Sequence, residues 1–418
     1  MTTSPSHQRL PTLSYATRPD QTVSSVASGK AFLFAAVLVF VALAPLIREL
    51  GGVLYFAIAA VCLLAVIWRQ AWIVDTPLLV FVSIGALYVL GSYAGIFPHA
   101  WTRLYETEAI PQQAAFVATL YFFIAAGRLF WLDLLQSRHV KWRLSLLIAA
   151  GFLGPAVLGV IRGDFDFATA FGGFFRSLSN PAMMAYLSLG LLVFVCLPGR
   201  RIFIALLLAP FMMVLTPFLQ NTLVALAFLG LALTPRPIAS LYVALVAFLM
   251  AWAISFAFVD EIYDLANTLG LRLQLQLDAV EAIRQTHGVG VGFGTEAIKP
   301  LSFLGFQYLS GVDPAEAVDG WIYVGTHNSF IGMFFRLGVF GGLAFIVFFC
   351  LGLLPRRMTD LRFGRAASFV YFVLFLALFS NPTIESPAYH VGAGFGIGLL
   401  FALREMQPSS TRIYRHAA

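Results

Sequence analysis

The chain has 418 residues, of which 60% are apolar and 11% are charged, and its mean hydropathy is +0.86. Soluble domains carry about 25% charged residues. The composition therefore excludes soluble enzymes, nucleic-acid-binding proteins and disordered proteins, and it predicts a multi-pass membrane protein. The three cysteines (Cys62, Cys196 and Cys350) all lie in apolar runs, which indicates small core residues rather than disulfide or zinc ligands.

Apolar runs predict an all-α fold with about twelve transmembrane helices, because a span needs ~20 mostly apolar residues. Lipid offers no partner for unpaired backbone groups, so spans of this kind must be helical. The runs lie near residues 31–47, 50–68, 74–97, 113–136, 144–161, 181–198, 202–219, 221–234, 238–259, 328–354, 366–380 and 389–403.

The distribution of basic residues predicts the orientation of these spans. With the N-terminus in the cytoplasm, seventeen of the 26 Lys and Arg fall in inner segments and seven fall in outer segments; Arg128 and Arg336 lie within spans. The asymmetry predicts that both termini are cytoplasmic, and it accounts for the formal net charge of +6 without nucleic acid. The predicted organisation is a disordered tail (1–30), a transmembrane domain (31–403) and a second cytoplasmic tail (404–418).

The longest predicted outer loop covers residues 260–327 and lies before the tenth span. It holds nine acidic residues and only three basic ones, Arg272, Arg284 and Lys299. Long ordered loops usually carry function. Because acidic residues dominate this loop, an anion site in it must depend on a few placed arginines.

His327 stands where this loop enters the tenth span. An imidazole can act as a general base near neutral pH; the alternative interpretation is an interfacial histidine beside a helix cap formed by Asn328. The string His327-Asn328, nine residues, Gly338, two residues and Gly341 resembles the signature of the O-antigen ligase and Wzy-type polymerase superfamily.

Three other elements resemble this family. Glycines at every second position from Gly288 to Gly294 resemble its glycine-rich segment before the histidine, and their spacing does not fit the dinucleotide fingerprint Gly-x-Gly-x-x-Gly. Arg272 resembles an arginine that precedes this segment. Arg176 with Asn180-Pro181 resembles an Arg…Asn-Pro element before the sixth span.

Two features depart from the family pattern. Arg336 stands where members often carry an acidic residue, and its interpretation stays open between a functional charge and a partner of Asp75 or Glu385. The segment from Thr216 to Thr222 has no arginine where many members have a Ser-Arg pair. The secondary structure around Arg272 also stays open. The segment from Leu271 to Leu277 alternates like a strand, while the family resemblance implies a helix.

The resemblance implies a glycosyltransferase on the outer face of a bacterial inner membrane. The implied donor is an oligosaccharide on undecaprenyl diphosphate, and the acceptor is another glycan or lipid A core. The family is thought to invert the anomeric centre without metal or nucleotide sugar, so no cofactor is implied. Polymerisation of O-antigen or exopolysaccharide repeat units is favoured over ligation to lipid A core or to protein, and a chain-length regulator is a further implied partner.

The implied roles fall on five residues. His327 is the catalytic base or positions the acceptor hydroxyl. Arg176 and Arg272 bind the diphosphate, because guanidinium groups match phosphate geometry. Arg284 is a weaker third ligand, and Asn328 caps the tenth span and contacts substrate.

Functions of other classes remain as alternatives. Twelve spans with both termini inside also suit a transporter of lipid-linked glycan, although no internal repeat or line of intramembrane charges supports one. A scaffold for polysaccharide export is a second alternative. Asp164-Phe-Asp166 permits a metal-dependent glycosyltransferase of another fold, since paired carboxylates can hold a divalent ion.

Overall fold

The computed structural model describes residues 23–47, 53–97, 109–162, 178–215, 219–258, 267–294, 328–356, 358–381, 383–384 and 386–407. These residues form helices and connecting turns, and none of them lies in a strand. The predicted all-α class is therefore confirmed. Of the predicted site residues, His327 and Arg176 lie outside the described residues, as do Asp164, Asp166 and Glu385.

Thirteen α-helices are described, and each predicted span overlaps at least one of them. They are α1 (Val23–Leu43), α2 (Val53–Arg69), α3 (Thr76–Tyr93), α4 (Ala109–Leu135), α5 (Val140–Arg162), α6 (Asn180–Leu191), α7 (Arg201–Leu215), α8 (Leu219–Leu233), α9 (Pro237–Ser255), α10 (Asn267–Gln285), α11 (Ser329–Val347), α12 (Leu361–Ser380) and α13 (Pro387–Glu405). The π-helical turns Leu192–Cys196 and Phe348–Leu353 continue α6 and α11.

Four described helical segments are long and apolar enough to cross a membrane: Thr76–Tyr93, Pro237–Phe258, Ser329–Leu353 and Leu361–Ser380. The pair Asn180–Cys196 and Pro198–Pro210 adds a fifth if it is a single bent span. The two parts of this pair meet at 99°, and Pro198-Gly199 at their junction accounts for the break, since proline cannot continue a helix. The count of twelve spans stays a prediction.

The centre of the bundle is formed by α12 and α13. The apolar window of α12 is 94% buried, whereas that of α9 is 6% buried and exposes Val243, Val246 and Met250. Apolar side chains on an outer face are expected where lipid is the solvent. The polar residues that are buried are therefore unlike their surroundings, and several of them, including Asn180, Thr383 and His390, lie near the start of α13.

Glycines on α13 allow close packing at its centre. A Cβ on Gly394 would lie 2.4 Å from Cβ of Phe123, and one on Gly398 would lie 2.4 Å from the backbone nitrogen of Arg128, both on α4. Spacing of small residues by four positions lets two membrane helices approach closely. Trp131 Nε1 on α4 donates to the Phe395 carbonyl at 2.9 Å, which fixes the register of the two helices.

The predicted outer loop 260–327 contains a described helix, α10. The Leu271 to Leu277 segment, which left strand and helix open, is helical. Its buried residues include Leu273, Gln276 and Asp278, and α10 packs against α11. At the N-terminus of the chain, α1 begins at Val23, eight residues before the predicted start of the first span.

Candidate functional site

Asn328, directly after His327, caps α11. Its side-chain oxygen accepts hydrogen bonds from the backbone nitrogens of Phe330 at 3.0 Å and Ile331 at 3.2 Å. Asparagine is a preferred N-cap because it satisfies amides that have no partner within the helix. The predicted cap is thus present. It fixes the start of α11 at Ser329.

The described residues of the α12–α13 connection (381, 383–384 and 386) lie near the start of α11. Ser329 Oγ donates to the Asn381 carbonyl at 3.0 Å and accepts from the Ile384 nitrogen at 3.2 Å. Ser329 and Ile384 are both fully buried. The connection therefore fixes the position of the residues that follow His327.

Arg272 on α10 contacts the residue directly before this connection. Its Nη1 donates to the Ser380 carbonyl, at the last residue of α12, at 3.3 Å. A cation is stabilised beside the C-terminal carbonyls of a helix, where the helix dipole is negative. The structure thus brings Arg272 to the last residue of α12, directly before the connection that Ser329, the neighbour of Asn328, contacts.

Arg284 lies elsewhere on α10. It is twelve residues beyond Arg272, which corresponds to ~18 Å along a helix. Its side chain is 75% exposed and forms a two-pronged ion pair with Glu281, with both N–O distances 2.6 Å. Hydrogen bonds from Arg284 lower the pKa of Glu281 to about 2. Arg284 is therefore held at the surface, away from Arg272.

The Asn-Pro element also meets the start of α13. Asn180, the first residue of α6, is fully buried, and its Oδ1 accepts from the Gly392 nitrogen at 2.8 Å. A Cβ on Gly392 would lie 3.2 Å from Cα of Asn180, so only a glycine fits without displacement. This asparagine joins α6 to α13 two residues beyond His390.

His390 is a fully buried histidine that the sequence analysis did not identify. Its Nδ1 lies 2.7 Å from the Ile384 carbonyl, and its Nε2 lies 3.2 Å from Thr119 Oγ1 on α4. Tyr55 Oη on α2 lies 2.6 Å from the same hydroxyl. Because a carbonyl only accepts, Nδ1 carries a proton. Thr119 Oγ1 donates its proton to the Ala115 carbonyl at 2.7 Å. Its contacts with Tyr55 and His390 give a chain from Tyr55 through Thr119 to His390 and the connection.

We expect this chain to show energetic coupling. His390→Phe removes both ring hydrogen bonds and takes the Nδ1 partner from the buried Ile384 carbonyl, which costs about 1–3 kcal/mol. Thr119 keeps its contacts with Tyr55 and Ala115. Thr119→Val interrupts the same chain from the other side. A double-mutant cycle on thermal unfolding in detergent should therefore give a coupling of at least about 0.5 kcal/mol, as residues in one network do. Strictly additive effects would contradict the shared network.

The glycine-rich segment docks into a break in α11. Gly338 has φ 61° and ψ −167°, which interrupts the helix. Val339 N donates to the Gly288 carbonyl at 2.8 Å, while the carbonyls of Phe335 and Arg336 accept from Val291 and Gly292 at 2.9 and 3.0 Å. The segment thus provides the hydrogen bonds that the helix loses at the break. Irregular backbone at membrane depth is tolerated only where such partners exist.

Glycine is required on both sides of this contact. A Cβ on Gly338 would lie 2.2 Å from the Val289 carbonyl oxygen, and one on Gly290 would lie 2.4 Å from the Gly338 nitrogen. Both residues also have positive φ, a region that favours glycine. The two glycine elements of the motif, some fifty residues apart in sequence, are therefore one structural unit.

The C-terminal end of α3 and the start of α4 hold the segment from the other side. Tyr88 Oη donates to the Val289 carbonyl at 2.7 Å, and the Phe293 nitrogen donates to Ser92 Oγ at 2.8 Å. Gln113 Oε1 on α4 accepts from the Gly294 nitrogen at 2.8 Å. The segment is consequently fixed at its beginning and at its end.

Arg336 joins the same arrangement. Its Nη1 donates to Gln113 Oε1 at 2.8 Å, so one amide oxygen binds both Arg336 and Gly294. Asp75, one predicted partner of Arg336, instead caps the N-terminus of α3 through the Leu78 nitrogen at 3.0 Å. It lies seventeen residues before Ser92, ~25 Å away along the helix. Glu385, the other predicted partner, lies outside the described residues.

The sequence analysis missed Gln113, Ser92 and His390. Of these, only His390 carried a signal, which is a titratable residue in a predicted span. Within the described ranges, no three His, Cys, Asp or Glu side chains are grouped so that they could hold a metal ion. Comparisons with protein-family models, with curated proteins and with solved structures found no match to this chain.

Proposed function

We propose that this protein is a glycosyltransferase of the inner membrane that polymerises repeat units of a surface polysaccharide carried on undecaprenyl diphosphate. The observation that carries the proposal is the docking of the Gly288 to Gly294 segment into the break at Gly338. Gly338 is the motif glycine that follows the His327-Asn328 pair after nine intervening residues. Contact between two separately identified motif elements supports a real motif rather than a chance string.

The proposed chemistry follows from the residue types. An acceptor hydroxyl attacks the anomeric carbon of the donor, the bond from that carbon to the diphosphate oxygen breaks, and the configuration inverts. His327 takes the hydroxyl proton or holds the hydroxyl in line. The leaving diphosphate carries negative charge, and Arg272 with Arg176 stabilises it. Arg284 is a weaker contributor, since Glu281 already binds its guanidinium.

The proposed topology places this chemistry outside the cell. Twelve spans with both termini cytoplasmic put loop 260–327 and the start of α11 on the periplasmic face. The end of α12, which contacts Arg272, and the α12–α13 connection, which contacts Ser329, are then periplasmic as well. A donor that has already crossed the membrane would meet all proposed site residues on one side.

Glycan analysis of a strain that lacks the gene tests the function. Carrier-linked and surface glycans are extracted from this strain and from one with the wild-type gene restored. Single repeat units that accumulate on the carrier without the gene would support a polymerase. Long chains that remain on the carrier would identify a ligase instead. Repeat units trapped on the cytoplasmic face would favour a transporter and contradict the proposal.

The two loop arginines should differ in importance. We expect Arg272→Gln to lower polymer formation about 100-fold, which is typical when one group that stabilises transition-state charge is removed. Arg284→Gln should change it less than about threefold, because an exposed ion pair contributes little. Both variants are restored in the deletion strain at matched membrane levels and assayed for polymer. Equal losses would contradict the different roles.

A further inference from the structure

A cluster of basic residues lies at the end of the bundle opposite the candidate site. Lys30 Nζ and Arg69 Nη1 both bind the Asp133 carboxylate, each at 3.0 Å. Arg143 lies close by, with Cζ 5.0 Å from the centre of the Phe34 ring. We name this set of four charged residues from α1, α2, α4 and α5 the basic corner.

The basic corner is far from the His390 chain. Tyr55 and Arg69 are fourteen residues apart on α2, and Thr119 and Asp133 are fourteen residues apart on α4. Each separation corresponds to ~21 Å along a helix. A ligand at the basic corner is therefore distinct from a donor bound beside the α12–α13 connection.

The charges at the basic corner do not balance. A single carboxylate, 10% exposed, faces two bases directly, and Arg143 adds a third charge without an acidic partner among the described residues. The adjoining turn adds Arg138, and the first turn of α5 adds Lys141. The sequence from Gln136 to Arg143 contains no acid. Converging bases with this net positive charge favour an anionic group.

The cluster surrounds a small opening and borders an apolar surface. A cavity of about 10 Å³ lies among Lys30, Phe34, Asp133 and Arg143, which is room for one water or one phosphate oxygen. Beside it, Phe32, Trp68 and Trp142 are 59%, 61% and 65% exposed. Tryptophan is enriched where a membrane surface meets water.

We propose that the basic corner binds the phosphate of an anionic phospholipid, with the acyl chains against the exposed faces of α1, α2 and α5. Basic pockets between membrane helices recognise anionic head groups in this way. The exposed aromatic residues beside the bases favour a lipid over a soluble anion. The proposal needs only a membrane-embedded bundle, so it stands or falls independently of glycan transfer.

Native mass spectrometry of the full chain in neutral detergent tests the proposal, with phosphatidylglycerol and phosphatidylcholine as probes. The wild type should bind phosphatidylglycerol at least about tenfold more tightly. Each basic side chain near the phosphate contributes roughly fivefold. Arg143→Gln should therefore weaken this binding about fivefold, and Lys30→Gln with Arg143→Gln about 30-fold. Arg143→Gln leaves both ion pairs of Asp133 intact, which separates lost binding from misfolding.

The matched control is Arg362→Gln, an exposed arginine that has its own partner in Asp360 at 2.6 Å. It should bind phosphatidylglycerol like the wild type. Equal affinity of the wild type for the two lipids, or an equal loss in Arg362→Gln, would overturn the proposal. Inorganic phosphate that raises the unfolding temperature as much as phosphatidylglycerol does would also overturn it, since the ligand would then be a free anion.

Discussion

Replacing His327 with alanine is expected to abolish polymer formation while the protein still reaches the membrane. A positioned general base contributes about 10²–10⁴-fold to a reaction. The motif from His327 to Gly341 contains no second histidine that could take this role. The side chain is lost but its neighbour Asn328, which caps α11, stays in place. The measurement is the amount and length of surface glycan in the deletion strain restored with each variant at equal membrane levels.

His139→Ala is the control for this experiment. His139 is exposed in the turn between α4 and α5, and its backbone nitrogen binds Ser137 Oγ at 3.2 Å, a contact that the substitution leaves intact. A strain restored with His139→Ala should form surface glycan of normal amount and length. If His327→Ala supports it equally well, the imidazole is not catalytic, and the transporter and scaffold alternatives become stronger.

Apolar run length was sufficient to predict the class and the order of the helices. Each predicted span overlaps a described helix, because lipid forces any long apolar run to pair its own backbone groups. The Leu271 to Leu277 segment shows where periodicity was insufficient. Its alternation suited a strand, but a strand needs a neighbour to pair with, and the helix α10 satisfies its backbone alone while burying Leu273, Gln276 and Asp278 against the bundle.

The contacts of the candidate site were less accessible to sequence reasoning. The cap by Asn328 is local, and the sequence predicted it. The network of Tyr55, Thr119 and His390 joins three helices, so it depends on helix packing that no spacing in the sequence encodes. Gln113 illustrates the same limit. A single amide in an apolar run does not predict a hydrogen bond from Arg336, which lies 223 residues later in the sequence.

The second large effect is expected from Gly338→Ala. Alanine at φ 61° and ψ −167° costs about 1–3 kcal/mol in backbone strain, and its Cβ would meet the Val289 carbonyl oxygen at 2.2 Å. Neither the glycine-rich segment nor α11 can move away from this Cβ without breaking the hydrogen bonds that the Val291 and Gly292 nitrogens donate to α11. We therefore expect the glycine-rich segment to detach, and polymer formation to be lost with it.

Hydrogen exchange measures this detachment directly. A loss of about 3 kcal/mol corresponds to ~100-fold faster exchange of the Val291 and Gly292 amides. Gly230→Ala is the matched control, because a Cβ at Gly230 in α8 has no atom within 4 Å, and alanine in an open helix stabilises it by up to about 1 kcal/mol. Unchanged protection of Val291 and Gly292 in Gly338→Ala would show that the break in α11 does not depend on glycine. The motif glycine would then have to be explained by contact with substrate, because the packing of the segment would not require it.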